Sequence, residues 1–131
     1  MIALDTNMIV RFLVRDHERQ YKIVEKYFLE NEICVQPTVL LEAEWVLRAV
    51  MNIPKAKVMA AFEGLMEMRN VEVADSQAVS RAIEWAKQGL DFADALHLAT
   101  CGASESFVSF DRNFARKAAR IRSEPVVVVA H

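Results

Sequence analysis

The stretch FVSFDRNFAR, Phe107–Arg116, decides how the rest of the chain is read. FVSF is a short β-rich run, Asp111 follows it at once, and a helical pattern begins at Arg112. The N-terminus repeats the arrangement: MIAL is a β-rich run, and Asp5 then opens a segment leading into a helix. Working outward, further β-rich runs stand at Ile33–Gln36, Val71–Val73 and Val126–Val129, beside Met1–Leu4 and Phe107–Phe110. Longer helical patterns lie between them. His17 to about Leu29 places Tyr21, Val24, Tyr27 and Phe28 on one face, and Thr38 to Met51 repeats apolar residues at Leu40, Ala43, Leu47 and Val50. Pro54, at a first helical position, opens a helix bearing Val58, Ala61, Phe62 and Leu65. Ala78–Lys87, Phe92–Ala103 and Arg112–Ala119 complete the set. Strand and helix in alternation predict a parallel sheet with helices on both faces. FVSF and VVVV lack regular polar alternation, as expected of strands covered on both sides.

The 131 residues are enough for one domain, over residues 1–131, with a real core. Hydrophobic residues make up 53% and charged residues 26%, which fits a soluble globular chain. Only three Gly and three Pro leave no room for a low-complexity linker. No apolar run approaches the roughly 18 residues of a membrane span. MIALDTN lacks a basic leader region, so a cytoplasmic location is expected. Cys34 and Cys101 sit in apolar contexts and read as buried, reduced thiols, and no Cys/His group has zinc spacing. The net charge of −2 is not that of an obvious nucleic-acid binder. Its distribution says more. Asp111–Arg122 carries Arg112, Arg116, Lys117, Arg120 and Arg122 against the single acid Asp111, a flank able to steer a polyanion.

In open parallel sheets, ligands bind beyond the carboxyl ends of the strands, where Asp5 and Asp111 stand. An N-cap role accounts for either residue alone. Glu42 is harder to explain, because none of its helical neighbours Thr38, Val39, Trp45 and Val46 is basic. Glu44 has Arg48 at i+4 and reads as half of a surface pair. Asp91 and Asp94 open the helix of DFADALHLATCGA, share one face at i, i+3 and have no Lys or Arg within helical reach. Asp5, Glu42, Asp94 and Asp111 come from four separate segments. Brought together, they would repel one another severely without a cation. Hard oxygen ligands suit Mg2+ or Mn2+ rather than zinc, and such a site activates water and offsets charge on a phosphate.

DTN at Asp5–Asn7, VLLEAEWVLR at Val39–Arg48, DFADALHLA at Asp91–Ala99 and FVSFDRNFAR at Phe107–Arg116 occur in the order and approximate spacing of a PIN domain. More closely, they resemble the VapC-type toxins of VapBC toxin–antitoxin systems, over essentially the whole chain. The resemblance implies an α/β fold, a three-layer α/β/α sandwich around a mainly parallel sheet of about five strands. It implies a Mg2+- or Mn2+-dependent endoribonuclease with RNA as substrate, a cognate antitoxin and a homodimer as assemblies, and no membrane role. Residue by residue, Asp5 matches the first motif acid, Glu42 the second, Asp94 the third and Asp111 the fourth. Asp91 resembles an accessory acid one turn before Asp94. Thr6, Asn7 and Ser109 match the small polar residues that orient ligands or water. Arg112, Arg116 and Lys117 become candidate RNA contacts. Ser109 stands where Thr is usual, and His97 where an aliphatic residue is usual. The stripe around Tyr27, Phe28, Trp45, Met59, Phe62 and Met66 reads mostly as core, with a remainder available to an antitoxin segment.

Other readings compete. The same scaffold serves RNA processing or DNA cleavage without an antitoxin, and a non-catalytic acidic metal-binding module is a further alternative. A phospho-acceptor receiver needs a Lys after its last central strand, whereas VVVVAH offers His131. A haloacid-dehalogenase-like phosphatase needs a second Asp two residues after Asp5, where Asn7 stands.

Overall fold

β-branched and aromatic runs become strands wherever Asp, Pro or a polar turn cuts them short, and here they are very short. A computed structural model describes residues 1–131. The strands are β1 (Ile2–Ala3), β2 (Ile33–Val35), β3 (Val71–Val73), β4 (Ser106–Ser109) and β5 (Val126–Val129). The α-helices are α1 (Thr6–Leu13), α2 (Glu18–Glu30), α3 (Pro37–Trp45), α4 (Lys55–Glu67), α5 (Ser76–Lys87), α6 (Phe92–Ala99) and α7 (Arg112–Arg120). The expected α/β class is borne out. The helical pattern beginning at Thr38 gains one residue, because Pro37 occupies the first turn, where its missing N–H costs nothing. Pro54 lies one position outside α4, as its cap.

The chain divides into two compact units, Met1–Ala74 and Asp75–His131. In the first, β1, β2 and β3 pair in that order, all parallel, with Ile2 opposite Ile33 and Ile33 opposite Val71. Ile33 and Val35 are fully buried, as are Ile9 on α1, Leu40 on α3 and Phe62 on α4. Of the aromatic and methionine stripe, Phe28, Met59 and Phe62 are core, while Tyr27 and Trp45 are exposed. A ring stack of Tyr21, Phe12 and Phe28 joins α1 to α2, with Phe12 and Phe28 centroids 3.8 Å apart. In the second unit α5 packs on α6, with Val79 and Ile83 of the one and Phe92 and Leu98 of the other all buried, and α7 packs on β5.

The second unit corrects one expectation. β4 and β5 pair in parallel, Ser106 opposite Val126 and Val108 opposite Val128, as a separate two-stranded sheet. They are not covered on both sides: Val108, Phe110, Val126 and Val128 are exposed on one face, whereas Val127 is buried. An all-apolar strand sequence cannot tell one covered face from two, since alternate residues point to opposite faces whatever their polarity. Cys34 and Cys101 are free, as expected, but half-buried rather than fully buried.

The long helix expected over Thr38–Met51 ends as a π-helical turn, Val46–Val50, in which the Met51 N–H reaches back to the Val46 carbonyl at 3.0 Å. One extra residue in the turn rotates everything after it. Val50, expected in the apolar stripe, is therefore exposed. Asn52 (φ 57°) closes the segment in the left-handed conformation that Asn tolerates.

Candidate active site

Asp5 follows β1 and caps α1, its Oδ1 accepting the Met8 N–H at 3.0 Å. Asp111 follows β4 and caps α7, its Oδ1 accepting the Phe114 N–H at 2.9 Å. Asp91 caps α6, its Oδ2 accepting the Asp94 N–H at 3.3 Å. Capping does not compete with a ligand role, because each cap uses a single carboxylate oxygen. All three stand at helix N-termini, where the helix dipole favours negative charge. Ser109 Oγ accepts the Asp111 N–H at 3.0 Å, which fixes the turn between β4 and α7. Thr6 is half-buried and Asn7 exposed, side by side at the start of α1.

Asp94, partly buried in the first turn of α6, has its carboxyl raised above its ordinary 3.8. Burial is the largest cause, followed by repulsion from Asp91 and then Asp111, while His97 and Lys117 act in the opposite direction. The second unit therefore gathers Asp91, Asp94 and Asp111 into one electrostatic cluster, with the exposed His97 and the half-buried Lys117 within reach of it. Arg112 and Arg116 are exposed on the same helix as Lys117, and Arg116 Nη2 donates to Asn113 Oδ1 at 2.9 Å. The raised carboxyl has a consequence for stability. The folded chain holds this proton more tightly than the unfolded chain, so stability falls as pH rises from about 3.8 through the folded-state value. Asp94→Asn is expected to raise Tm at pH 7 in chelator, with the gain shrinking as pH falls towards 4. Thermal melts of both proteins across pH 4–7 measure it, and an equal or lower Tm at pH 7 would contradict the cluster.

Asp5 and Glu42 belong to the first unit, where α1 packs on α3. Glu42 is exposed in mid-α3, and its side chain has no hydrogen bond or ion pair. Glu44 reverses the sequence reading. It is 3% exposed and pairs with Arg48, whose Nε lies 2.6 Å from Oε2 and Nη2 3.4 Å from Oε1. The i+4 partner was recognised, but the burial was missed. Glu44 falls between Leu40 and Leu47 at i+4 and i−3, so helical spacing alone could have placed it in the buried stripe.

Nowhere do three or more His, Cys, Asp or Glu side chains stand close enough to hold a metal ion as they are. The donor chemistry nonetheless fits a hard divalent cation: the cluster offers only carboxylate oxygens as anionic ligands, and Asp91 and Asp111 repel the charge on Asp94, a repulsion that a bound cation would offset. No helix is long and apolar enough to cross a membrane.

A search among curated proteins gives no match. A family profile described as PIN domain matches residues 2–120, a span that includes every candidate acid from Asp5 to Asp111. With nine-tenths of its length under that profile and short parallel strands alternating with helices, the chain belongs to the PIN-domain family, a family of nuclease fold.

Proposed function

We propose that this protein is a Mg2+- or Mn2+-dependent endoribonuclease that hydrolyses RNA phosphodiester bonds, and that it is the toxin of a type II toxin–antitoxin system. PIN domains are in general metal-dependent nucleases, so the chemical class follows from the family. The observation that carries the reading is the Asp91–Asp94–Asp111 cluster, with Asp94 raised by its burial and by its acidic neighbours. In this reading Asp5 and Asp94 are the principal metal ligands. Glu42 and Asp111 complete the set directly or through water, and Asp91 is accessory. When bound, the cation supplies Lewis acidity and offsets charge on the phosphate. Ser109 keeps Asp111 at the head of α7, and in this reading Thr6 and Asn7, next to Asp5 in the chain, orient ligands or water. Lys117, Arg112 and Arg116 attract the phosphate backbone, and Lys117 also offsets part of the repulsion that Asp94 feels from its acidic neighbours. The motif resemblance supports the toxin assignment, and with it a cognate antitoxin, a homodimer and a cytoplasmic site of action.

The test is cleavage of total RNA in Mg2+ or Mn2+, with and without EDTA. Discrete products are expected only with metal, lost in chelator and restored by excess Mg2+. Absence of any chelator-sensitive product would point instead to a non-catalytic acidic module.

A further inference from the structure

A cavity of about 350 Å³ opens between α1 and α2, and Asp5 forms part of its wall. Its other walls are of two kinds. Met8, Val24 and the half-exposed Ile23 are apolar, while Asn7 and Gln20 present side-chain amides that have no partner within the protein. Arg11 completes the lining. Its Nη1 is held by Asp16 at 3.1 and 3.4 Å, which anchors the guanidinium and leaves its remaining donors unused. The α2 end of the cavity is fixed by its own cap, His17 Nδ1 accepting the Gln20 N–H at 3.2 Å.

We infer that this cavity is a base-reading subsite, holding one unpaired nucleobase of the RNA next to the bond to be cut. The inference rests on the proposed role of Asp5, which belongs to both the cavity and the reaction centre. A base presents two apolar faces and an edge of donors and acceptors. The cavity offers apolar side chains for a face, two amides that both donate and accept for an edge, and an anchored guanidinium for the adjoining phosphate. Its volume lies at the small end of ligand pockets, enough for one nucleotide unit and too little for a duplex. Only a base splayed out of a single strand or loop can enter it. Gln20 is thus a specificity residue and not part of the metal set, and Ile23 is its apolar counterpart.

The experiment uses a randomised single-stranded RNA library in Mg2+, with the cut sites mapped by sequencing. The wild-type protein is expected to prefer certain bases at one position flanking the cut. Gln20→Ala flattens the preference at that position alone and raises KM roughly threefold to tenfold, the scale of one hydrogen bond, with little change in kcat. Ile23→Ala raises KM in the same way without altering which base is preferred. Both residues are exposed, so circular dichroism should show an unchanged fold. A second arm separates this inference from the nuclease reading: binding of a fluorescent single-stranded RNA hexamer is measured in EDTA, where no cleavage occurs. Weaker binding by Gln20→Ala supports the subsite even if no protein in the series cuts RNA. Wild-type cleavage pattern and wild-type hexamer affinity in both variants would overturn the subsite and leave the nuclease standing.

Discussion

Asp5→Asn is expected to abolish metal-dependent RNA cleavage while the chain remains folded. The two halves of this outcome have separate causes. Asp5 caps α1 through one oxygen, in an extended backbone conformation (φ −83°, ψ 178°). Asn caps helices about as well as Asp, so the Met8 N–H keeps an acceptor and Tm should stay within about 2 °C of wild type. What Asn removes is the negative charge. A metal ligand reduced to a neutral amide forfeits the electrostatic attraction that holds the cation, and loss of one such group at a reacting centre lowers kcat by roughly 100-fold or more. Cleavage rates in Mg2+ and thermal melts, run side by side on both proteins, measure the two halves. Full activity in Asp5→Asn would remove the proposed mechanism, and a collapsed melt would show that the amide does not replace the carboxylate at the head of α1.

The second large effect is on stability. Arg48→Met leaves Glu44, 3% exposed, without the guanidinium that now meets it at 2.6 Å. An ionised carboxylate stranded in the core is far more costly than the pair was favourable. The loss expected is about 3 kcal/mol, or roughly 10 °C in Tm for a chain of this length. The double variant Glu44→Met with Arg48→Met should recover most of it, because two apolar side chains of similar volume carry no charge to desolvate. Urea titrations of the two single variants and the double give the coupling directly. Near-additive losses would mean that the pair is not held out of water as its burial implies.

Much of the fold was legible because its signals are local. Asp5 and Asp111 each end a β-rich run and start a helix, and the structure uses both as caps. The runs at Val71–Val73 and Val126–Val129 are strands over those same residues. The part that was missed depends on packing. Glu42 and Glu44 differ by two positions, and the absence of a basic neighbour singled out Glu42, yet Glu44 is the one that α3 buries. Val50 was misplaced because a π-helical turn, which no residue of VLRAV announces, rotates the end of that helix. For the site, the sequence supplied the acids but not their surroundings: that Lys117 bears on Asp94, or that Asn7 and Gln20 share a cavity with Asp5, follows from tertiary structure alone.

All the strand pairings are parallel, and this constrains how the polypeptide finds its fold. Ile2 must reach Ile33, Ile33 must reach Val71 and Ser106 must reach Val126, each across an intervening helical segment. No hairpin exists to start a sheet cheaply, so every ladder begins with the entropy of closing a long loop. Helices adjacent along the chain, α5 with α6 above all, meet with far less to close. Assembly is thereby biased towards helical pairs first and β-ladders late, and the long sequence separation of these pairings makes the final step slow beside that of a helical bundle of equal length.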